Sequence, residues 1–380
     1  MVKVNLHHSI DSIGAERWNA LCGSRYPFLR YEFLHALEAS GSVSPAAGWH
    51  PLHLELSQAG ETRLLMPLYL KTHSWGEYVF DWPWAGAYEH QGLSYYPKLL
   101  TAIPFTPSTE PRYGSHMSSA EALSLLSELL PSICEQAQAS SWHGLFLTRQ
   151  DAGALPEPLL LRTGSQYHWF NRHYTDFEHF LDRFSSRKRK AVRRERKKVK
   201  DQGIRLERLT GKSISRDQLE QFYHFYQMTY LKRGRRGYLT PDFFHRVHQT
   251  MPEQLLLVLA RKGDTPVAGA LSLIGDDTLY GRYWGCMDEY DSLHFEACYY
   301  QGIEFCIERG LARFDPGAQG EHKIQRGFEP IPTWSAHWIA HPGFRAAISE
   351  FLDRETPAVQ EQIHSLSALL PFKQMTNSPE

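Results

Sequence analysis

Two hydrophobic periods run along this chain, one near 2 and one near 3.6, and their order is clearest in the second half. From Phe177 to Val199, the residues Phe177, Phe180, Leu181, Phe184, Ala191, Val192 and Val199 share one third of a helical wheel. This predicts a single amphipathic helix that ends at Gly203. Residues 204–209 read as a strand, and 217–233 as a helix burying Leu219, Phe222, Phe225, Tyr226 and Tyr230. Residues 255–261 and 266–274 form a hairpin through Gly263-Asp264, and 278–286 continues the meander. A helix over 295–309, closed by Gly310, leads to a strand over 312–315. Helix, strand, helix, three strands, helix and strand predict an α/β sandwich around one mixed sheet.

The first half has the same grammar with more aromatics and prolines. Residues 52–56 and 63–71 alternate as two strands of a hairpin around Gly60. Residues 77–88 read as a strand running into a Trp/Pro loop, with Asp81 held between Phe80 and Trp82. Residues 119–139 carry helical spacing, and 144–147 a short strand. Gly153, Pro156, Pro158 and Gly164 mark a crossover, so the 380 residues divide into lobes 1–165 and 166–380.

Composition narrows the class. Hydrophobic residues make up 42% and aromatics 13%, enough for packed cores and against disorder. No apolar run reaches the ~18 residues of a membrane span, and the N-terminus has no signal-peptide apolar region, so a cytoplasmic location without a transmembrane segment is expected. Five cysteines without CxxC spacing fit reduced thiols, and twenty histidines without HExxH or clustered spacing suggest no metal.

Charge is unevenly placed. Residues 187–200 hold ten bases and one acid in a chain whose formal net charge is -1. Arg187, Arg189, Lys190, Arg193, Arg194, Arg196, Lys197 and Lys200 are predicted on the arc opposite the apolar stripe, as anion-binding candidates. That arc is either a solvated face or a contact for a phosphate chain, a tRNA backbone or anionic lipid. Glu195 projects from the apolar stripe, where a carboxylate is costly unless paired, so it is expected to meet an inward cation or backbone donor.

The densest candidate chemistry follows the strand over 312–315. Asp315 at its end precedes Gly317, Gln319 and Gly320, which let backbone approach a ligand, and then Glu321, His322, Lys323 and Arg326. The competing reading is a structural turn. His294 and Glu296 open a helix at another strand end, where they serve either a ligand or the helix terminus; they share a cleft-facing side only if the segment is extended. Tyr283, Trp284, Asp81 and Trp82 are candidate pocket walls.

This element order resembles the GNAT acyltransferase fold. The segment Glu321-His322-Lys323-Ile324-Gln325-Arg326-Gly327-Phe328-Glu329-Pro330, leading to a strand through Ala336-His337-Trp338-Ile339, is similar to the short helix, Gly-Phe-Glu and hairpin that close such domains. The Ser-x-Arg-x-x-x-x-x-Arg-Arg-x-x-Lys spacing of Ser185, Arg187, Arg193, Arg194 and Lys197 between Phe184 and Leu206, and Asp315 with its glycine turn, resemble the second domain of FemAB-like transferases. The resemblance covers about residues 170–345, and more weakly 1–165 through Phe80-Asp81-Trp82 and Tyr95-Tyr96-Pro97-Lys98-Leu99.

It implies an α/β fold of two tandem GNAT-like lobes, each with a mixed sheet flanked by helices. It also implies an N-acyltransferase that moves an acyl or aminoacyl group to a small-molecule or peptide amine. The co-substrate would be acyl-CoA or aminoacyl-tRNA, with no permanently bound cofactor. Such chemistry needs a base, an oxyanion stabiliser and an acid, for which Glu321, His322, His294, Glu296 and Asp315 are the catalytic candidates. Lys323, Arg326, Gly317, Gln319 and Gly320 would bind substrate. One departure stands out: the segment 286–294, where coenzyme A enzymes of this fold carry a glycine turn, has no glycine and three acids. A second function class, a non-catalytic nucleic-acid or anionic-surface binder, would need only the basic arc of residues 187–200.

Overall fold

The computed structural model describes residues 2–318 and 320–373. They form two compact units. The first comprises the described residues through Ser165 with Tyr238–Thr250 and Pro332–Glu361; the second comprises Gln166–Gly237, Met251–Ile331 and the described residues from Gln362 on.

In the first unit, Val2–His7, His53–Gln58, Glu61–Met66 and Gly114–Ser115 form an antiparallel sheet. Ser141–Leu147 lies between residues 334–339 and Lys98–Thr101, with Tyr69–Lys71 and Trp49–Pro51 beyond. The helix Ser119–Gln136 starts at a Ser118/Glu121 capping box and buries Leu123, Leu126, Leu130 and Ile133. Where a strand running into a Trp/Pro loop was expected over 77–88, the Trp/Pro part is instead the helix Trp82–His90, because Pro83 in its first turn sets a helical φ and forgoes only a donor that would be unpaired anyway.

The second unit carries strands β1 (Ile204–Thr210), β2 (Leu255–Lys262), β3 (Thr265–Ile274), β4 (Thr278–Cys286) and β5 (Arg313–Asp315), in that spatial order. The first four are antiparallel. β5 pairs parallel with β4 only from Thr278 to Tyr280, so the rest of β4 runs on without that neighbour and a gap opens at the end of β5. A bulge against β3 leaves Arg282 as the extra residue: Leu271 faces Tyr283 and Ser272 faces Gly281.

The expected helix over 177–200 is two helices, α1 (Phe177–Asp182) and α2 (Ser186–Asp201). Between them Phe184 bridges to Phe372, and the amide of Ser185 donates to the Pro371 carbonyl, so residues 183–185 trade helical bonds for pairing with a distant segment. The helix α3 (Arg216–Leu231) lies so close to β4 that a Cβ on Gly285 would meet the Phe225 carbonyl oxygen at 1.9 Å. The expected helix over 295–309 is interrupted: Leu293–Phe295 is α-helical, Glu296–Tyr300 is a π-turn, and α4 (Gln301–Arg309) resumes. Among the described residues no helix is long and apolar enough to cross a membrane.

Candidate active site

The parting of β4 and β5 creates a cavity of about 490 Å³. Gly281, Arg282, Tyr283 and Trp284 of β4 form its floor, and Tyr226, Thr229, Tyr230 and Arg233 form a second wall. Those four recur at helical spacing along α3 and its end, so one helix face supplies them. His294, Cys298 and Tyr299 of the π-interrupted segment close a third side, and Pro316, Ala318, Gly320, His322 and Lys323, from the turn after β5, close the fourth.

Beneath this turn lies a buried ion pair. The side chain of Asp315 accepts from Arg282 at 2.7 Å and from the Gly317 amide at 2.9 Å, and His168 Nε2 stands 3.6 Å away. Burial alone would raise the Asp315 carboxyl, but the Arg282 guanidinium and then His168 hold it far below the usual carboxylate range. The bulge makes the pair possible by turning Arg282 out of the alternation of β4. Lys323 is also buried, yet it forms no ion pair among the described residues; its ammonium donates to the Gly317 carbonyl at 2.8 Å and to the Ala318 carbonyl at 3.4 Å. Burial brings its pKa down to about 8 although Asp315 pulls the other way. Asp315 is already neutralised by Arg282, so Lys323 is a buried cation in excess on the cavity wall, with the exposed Arg233 a second cation at its edge.

Residues Glu321–Arg326 form a 3-10 turn, in which positions three apart eclipse, and so Lys323 and Arg326 both point inward. His322 lies beside them at the cavity, with Nε2 2.9 Å from the Tyr299 hydroxyl. Its pKa is lowered by burial and by the nearby Arg326 and Lys323, and burial pushes the Tyr299 phenol far up, so a neutral imidazole faces a protonated phenol. A Cβ on Gly320, which has φ +106°, would sit 2.6 Å from the His322 ring.

Arg326 fixes this turn to the rest of the unit. It donates to the His322 carbonyl at 2.7 Å, to Glu195 at 2.7 and 3.2 Å, and lies 3.4 Å over the Phe295 ring. Glu195 therefore has the inward cation expected for it, together with the Tyr300 hydroxyl. Glu195→Ala should cost about 2 kcal/mol or more, because it leaves a buried guanidinium half-paired. A melting curve that overlays wild type would remove that account.

The FemAB_like family model, described as peptidoglycan biosynthesis/recognition, matches residues 9–374. The chain belongs to the FemAB_like family. Among solved structures it is similar to FemX, at 13% identity and a TM-score of 0.52, covering 92% of this chain and 100% of that one. It is also similar to the C-terminal domain of a putative lysylphosphatidylglycerol synthetase from Agrobacterium fabrum (10% identity, TM-score 0.54, 90% and 96% covered). A third is L-PGS from Bacillus licheniformis (11%, 0.50, 92% and 98%). At these identities the likeness is one of fold, and it agrees with the GNAT-like α/β architecture. No curated protein matches.

Within this FemAB_like chain the cavity gathers His294, His322, Lys323, Gly320, Tyr283 and Trp284, with Asp315 and Gly317 just behind its wall. Glu321 is exposed and does not line it, since neighbouring residues of a 3-10 turn diverge by about a third of a circle. Glu296 is buried away from it: because the segment is helical rather than extended, the carboxylate turns toward α2 and accepts two bonds from Arg196 at 2.9 and 3.0 Å. Arg326 is a clamp rather than a cavity residue. Asp81 and Trp82 belong to the first unit, where Asp81 is buried against Lys98 and Tyr95 and Trp82 is partly exposed beside Trp75. Gln319 lies outside the described residues.

The basic arc also needs correction. Arg196 is not on the outward face; it reaches inward to Glu296 and Glu304, which the wheel alone does not reveal. Arg189, Arg193 and Lys197 pair with Asp182, Glu178 and Asp201, whereas Arg187, Lys190, Arg194 and Lys200 make no ion pair among the described residues. Sequence reasoning missed Arg282, His168 and the role of Tyr299. The bulge and the π-turn that aim Arg282 and Tyr299 leave no periodic mark, although the polar and aromatic positions of α3, spaced by three and four, were visible.

Four histidines, the buried His143, His168 and His337 and the half-buried His294, set a pH dependence. Desolvation lowers His143 to about 3 and His168 and His294 to about 4, and holds His337 well below its ordinary value. Between pH ~6.5 and ~4 the unfolded chain takes up protons that these folded sites refuse, so stability falls with pH by up to about 1.4 kcal/mol per unit for each. Glu77, raised by burial to about 7, opposes one of them. Calorimetry should show the melting temperature dropping from pH 7 to 5; a constant or rising value would contradict buried neutral imidazoles.

Proposed function

We propose that this protein is an N-acyltransferase whose reaction takes place in the cavity of the second unit. The observation that carries this reading is Lys323, a buried ammonium with no carboxylate partner, on the wall of a cavity that no Asp or Glu lines among the described residues. A fixed, desolvated cation of this kind suits a charge that appears only during reaction, as on the oxygen of a tetrahedral acyl-transfer intermediate. The amine nitrogen attacks the acyl carbon, the N–C bond forms, and the carbonyl electron pair moves to the oxygen facing Lys323. His322, neutral and exposed to the cavity, takes the proton released by the attacking nitrogen. Collapse then breaks the bond to the donor oxygen or sulfur, which leaves with a proton returned from the His322–Tyr299 pair.

Family membership and the names of the similar folds, FemX and lysylphosphatidylglycerol synthetase, favour an aminoacyl or acyl group as cargo. The donor would be aminoacyl-tRNA or acyl-CoA, and the acceptor a small-molecule or peptide amine. Arg187, Lys190, Arg194 and Lys200 of α2, which make no ion pair among the described residues, are available to such a polyanionic donor. The test is to incubate the protein with each donor and a mixed amine pool, and to follow acylated products by mass spectrometry. Product from one donor class supports the reading, and none from either overturns it in favour of a binding protein.

A further inference from the structure

Helix α2 sends two consecutive side chains inward, and they take hold of the two halves of the His322–Tyr299 pair separately. Neighbours on a helix point about 100° apart, so adjacent positions can reach two different elements. Glu195 accepts from Arg326, which also donates to the His322 carbonyl, and so it holds the 3-10 turn that carries His322. Arg196 forks onto Glu296 at 2.9 and 3.0 Å and reaches Glu304 at 2.6 Å. The first acid opens the π-turn that carries Tyr299, and the second lies beyond it in α4.

The π-turn is what lets one guanidinium hold both acids. In regular α-helix, Glu296 and Glu304 would point about 80° apart around the axis. Instead the Gln301 amide donates to the Glu296 carbonyl, five residues back. This turn is one residue wider, and it brings the two acids to within about 20° of one line facing α2. The Gln301 side chain supports the same register by donating to Glu296 at 2.8 Å. On the far side α4 is fixed: Gly302 has no room for a Cβ against the Phe314 ring, and Ile303 and Cys306 are fully buried. A relaxation to α-helix would therefore rotate the residues before α4 by about 100° and carry Tyr299 off His322.

We propose that Arg196 is a positioning residue of the cavity: by tying Glu296 to Glu304 it holds the π-turn, and the π-turn holds the Tyr299 hydroxyl 2.9 Å from His322 Nε2. Its charge is spent on that alignment and not on a ligand of the α2 surface. Turns of this kind inside α-helices recur at functional sites because they re-aim a side chain without breaking the helix. The consequence for the proposed reaction is that α2, which touches no reacting atom, sets the geometry of the proton-carrying pair.

This inference rests on the His322–Tyr299 pair being that of the transferase site, but its test needs no turnover. In deuterated protein with protonated His and Tyr rings, magnetisation transfer between the His322 and Tyr299 rings, assigned with His322→Gln, reports their contact by NMR. Arg196→Met alone would orphan the buried Glu296, so the informative variant is Arg196→Met/Glu296→Gln, which leaves no buried charge of the pair unpaired. Arg193→Gln, which removes an exposed ion pair from the same helix, is the control. The expected result is a cross-peak in wild type and in the control, and its loss in the double variant while the melting temperature stays within about 5 °C of wild type. Four outcomes would overturn the role: a cross-peak kept in the double variant, its loss in the control as well, its absence from wild type, or a double variant that does not fold, which would make Arg196 a residue of stability alone. If no donor gives product while the cross-peak follows Arg196 as expected, the transferase reading falls and the positioning of Tyr299 by Arg196 stands.

Discussion

Lys323→Met is expected to lower turnover about 10²–10³-fold while the melting temperature holds or rises. Removing a preorganised donor to a developing oxyanion has a cost of that size, and the substitution also relieves an unpaired buried cation. The pH profile should carry the same signature. Activity that needs the Lys323 ammonium falls as pH rises through about 8, and activity that needs neutral His322 falls toward acid, giving a bell. The alkaline limb should vanish in the residual activity of the variant. Wild-type turnover in Lys323→Met, or a persistent alkaline limb near 8, would remove Lys323 from the reaction.

Asp315→Ala should be the most destabilising single change in the second unit, by about 3–5 kcal/mol, because it leaves the Arg282 guanidinium buried without its counter-ion. Both side chains of the pair are almost fully buried, at 2% and 1% exposure, so water cannot take the place of the carboxylate. The paired replacement Arg282→Met/Asp315→Leu should recover much of that loss, since two apolar groups leave no orphaned charge. Chemical denaturation of the three proteins decides the matter. If the double variant is as unstable as Asp315→Ala, the cost lies in the shape of the turn rather than in the ion pair. That assignment also separates Asp315 from the reacting atoms: its carboxylate is occupied by Arg282 and the Gly317 amide, and so it shapes the turn that carries Lys323 instead of serving as a base.

Much of the site was legible because the relevant residues are contiguous. The glycines and charges between Asp315 and Arg326 announce a turn that backbone and ligand can both approach, and Lys323 and His322 do reach the cavity. Glu321 and Glu296 were not separable from them by sequence, because which side a charge faces depends on helix type. A 3-10 turn hides Lys323 and exposes Glu321; a helical rather than extended segment sends Glu296 to Arg196. The same limit applied to Arg196, whose place on an ideal wheel is outward but whose long side chain finds two acids on another element.

The sequence by itself determined the alternation of strands and helices in the second unit, the apolar stripe of α2 and the need of Glu195 for a partner. These follow from periodicity and from the cost of burying charge, both of which act locally. Tertiary structure alone decided where β4 and β5 part, which bulge turns Arg282 toward Asp315, and that residues 183–185 leave the helix to pair with Pro371 and Phe372. Each of these is a bargain between segments far apart in sequence, where hydrogen bonds lost locally are made good by a distant partner, and no window of neighbouring residues contains both sides of it.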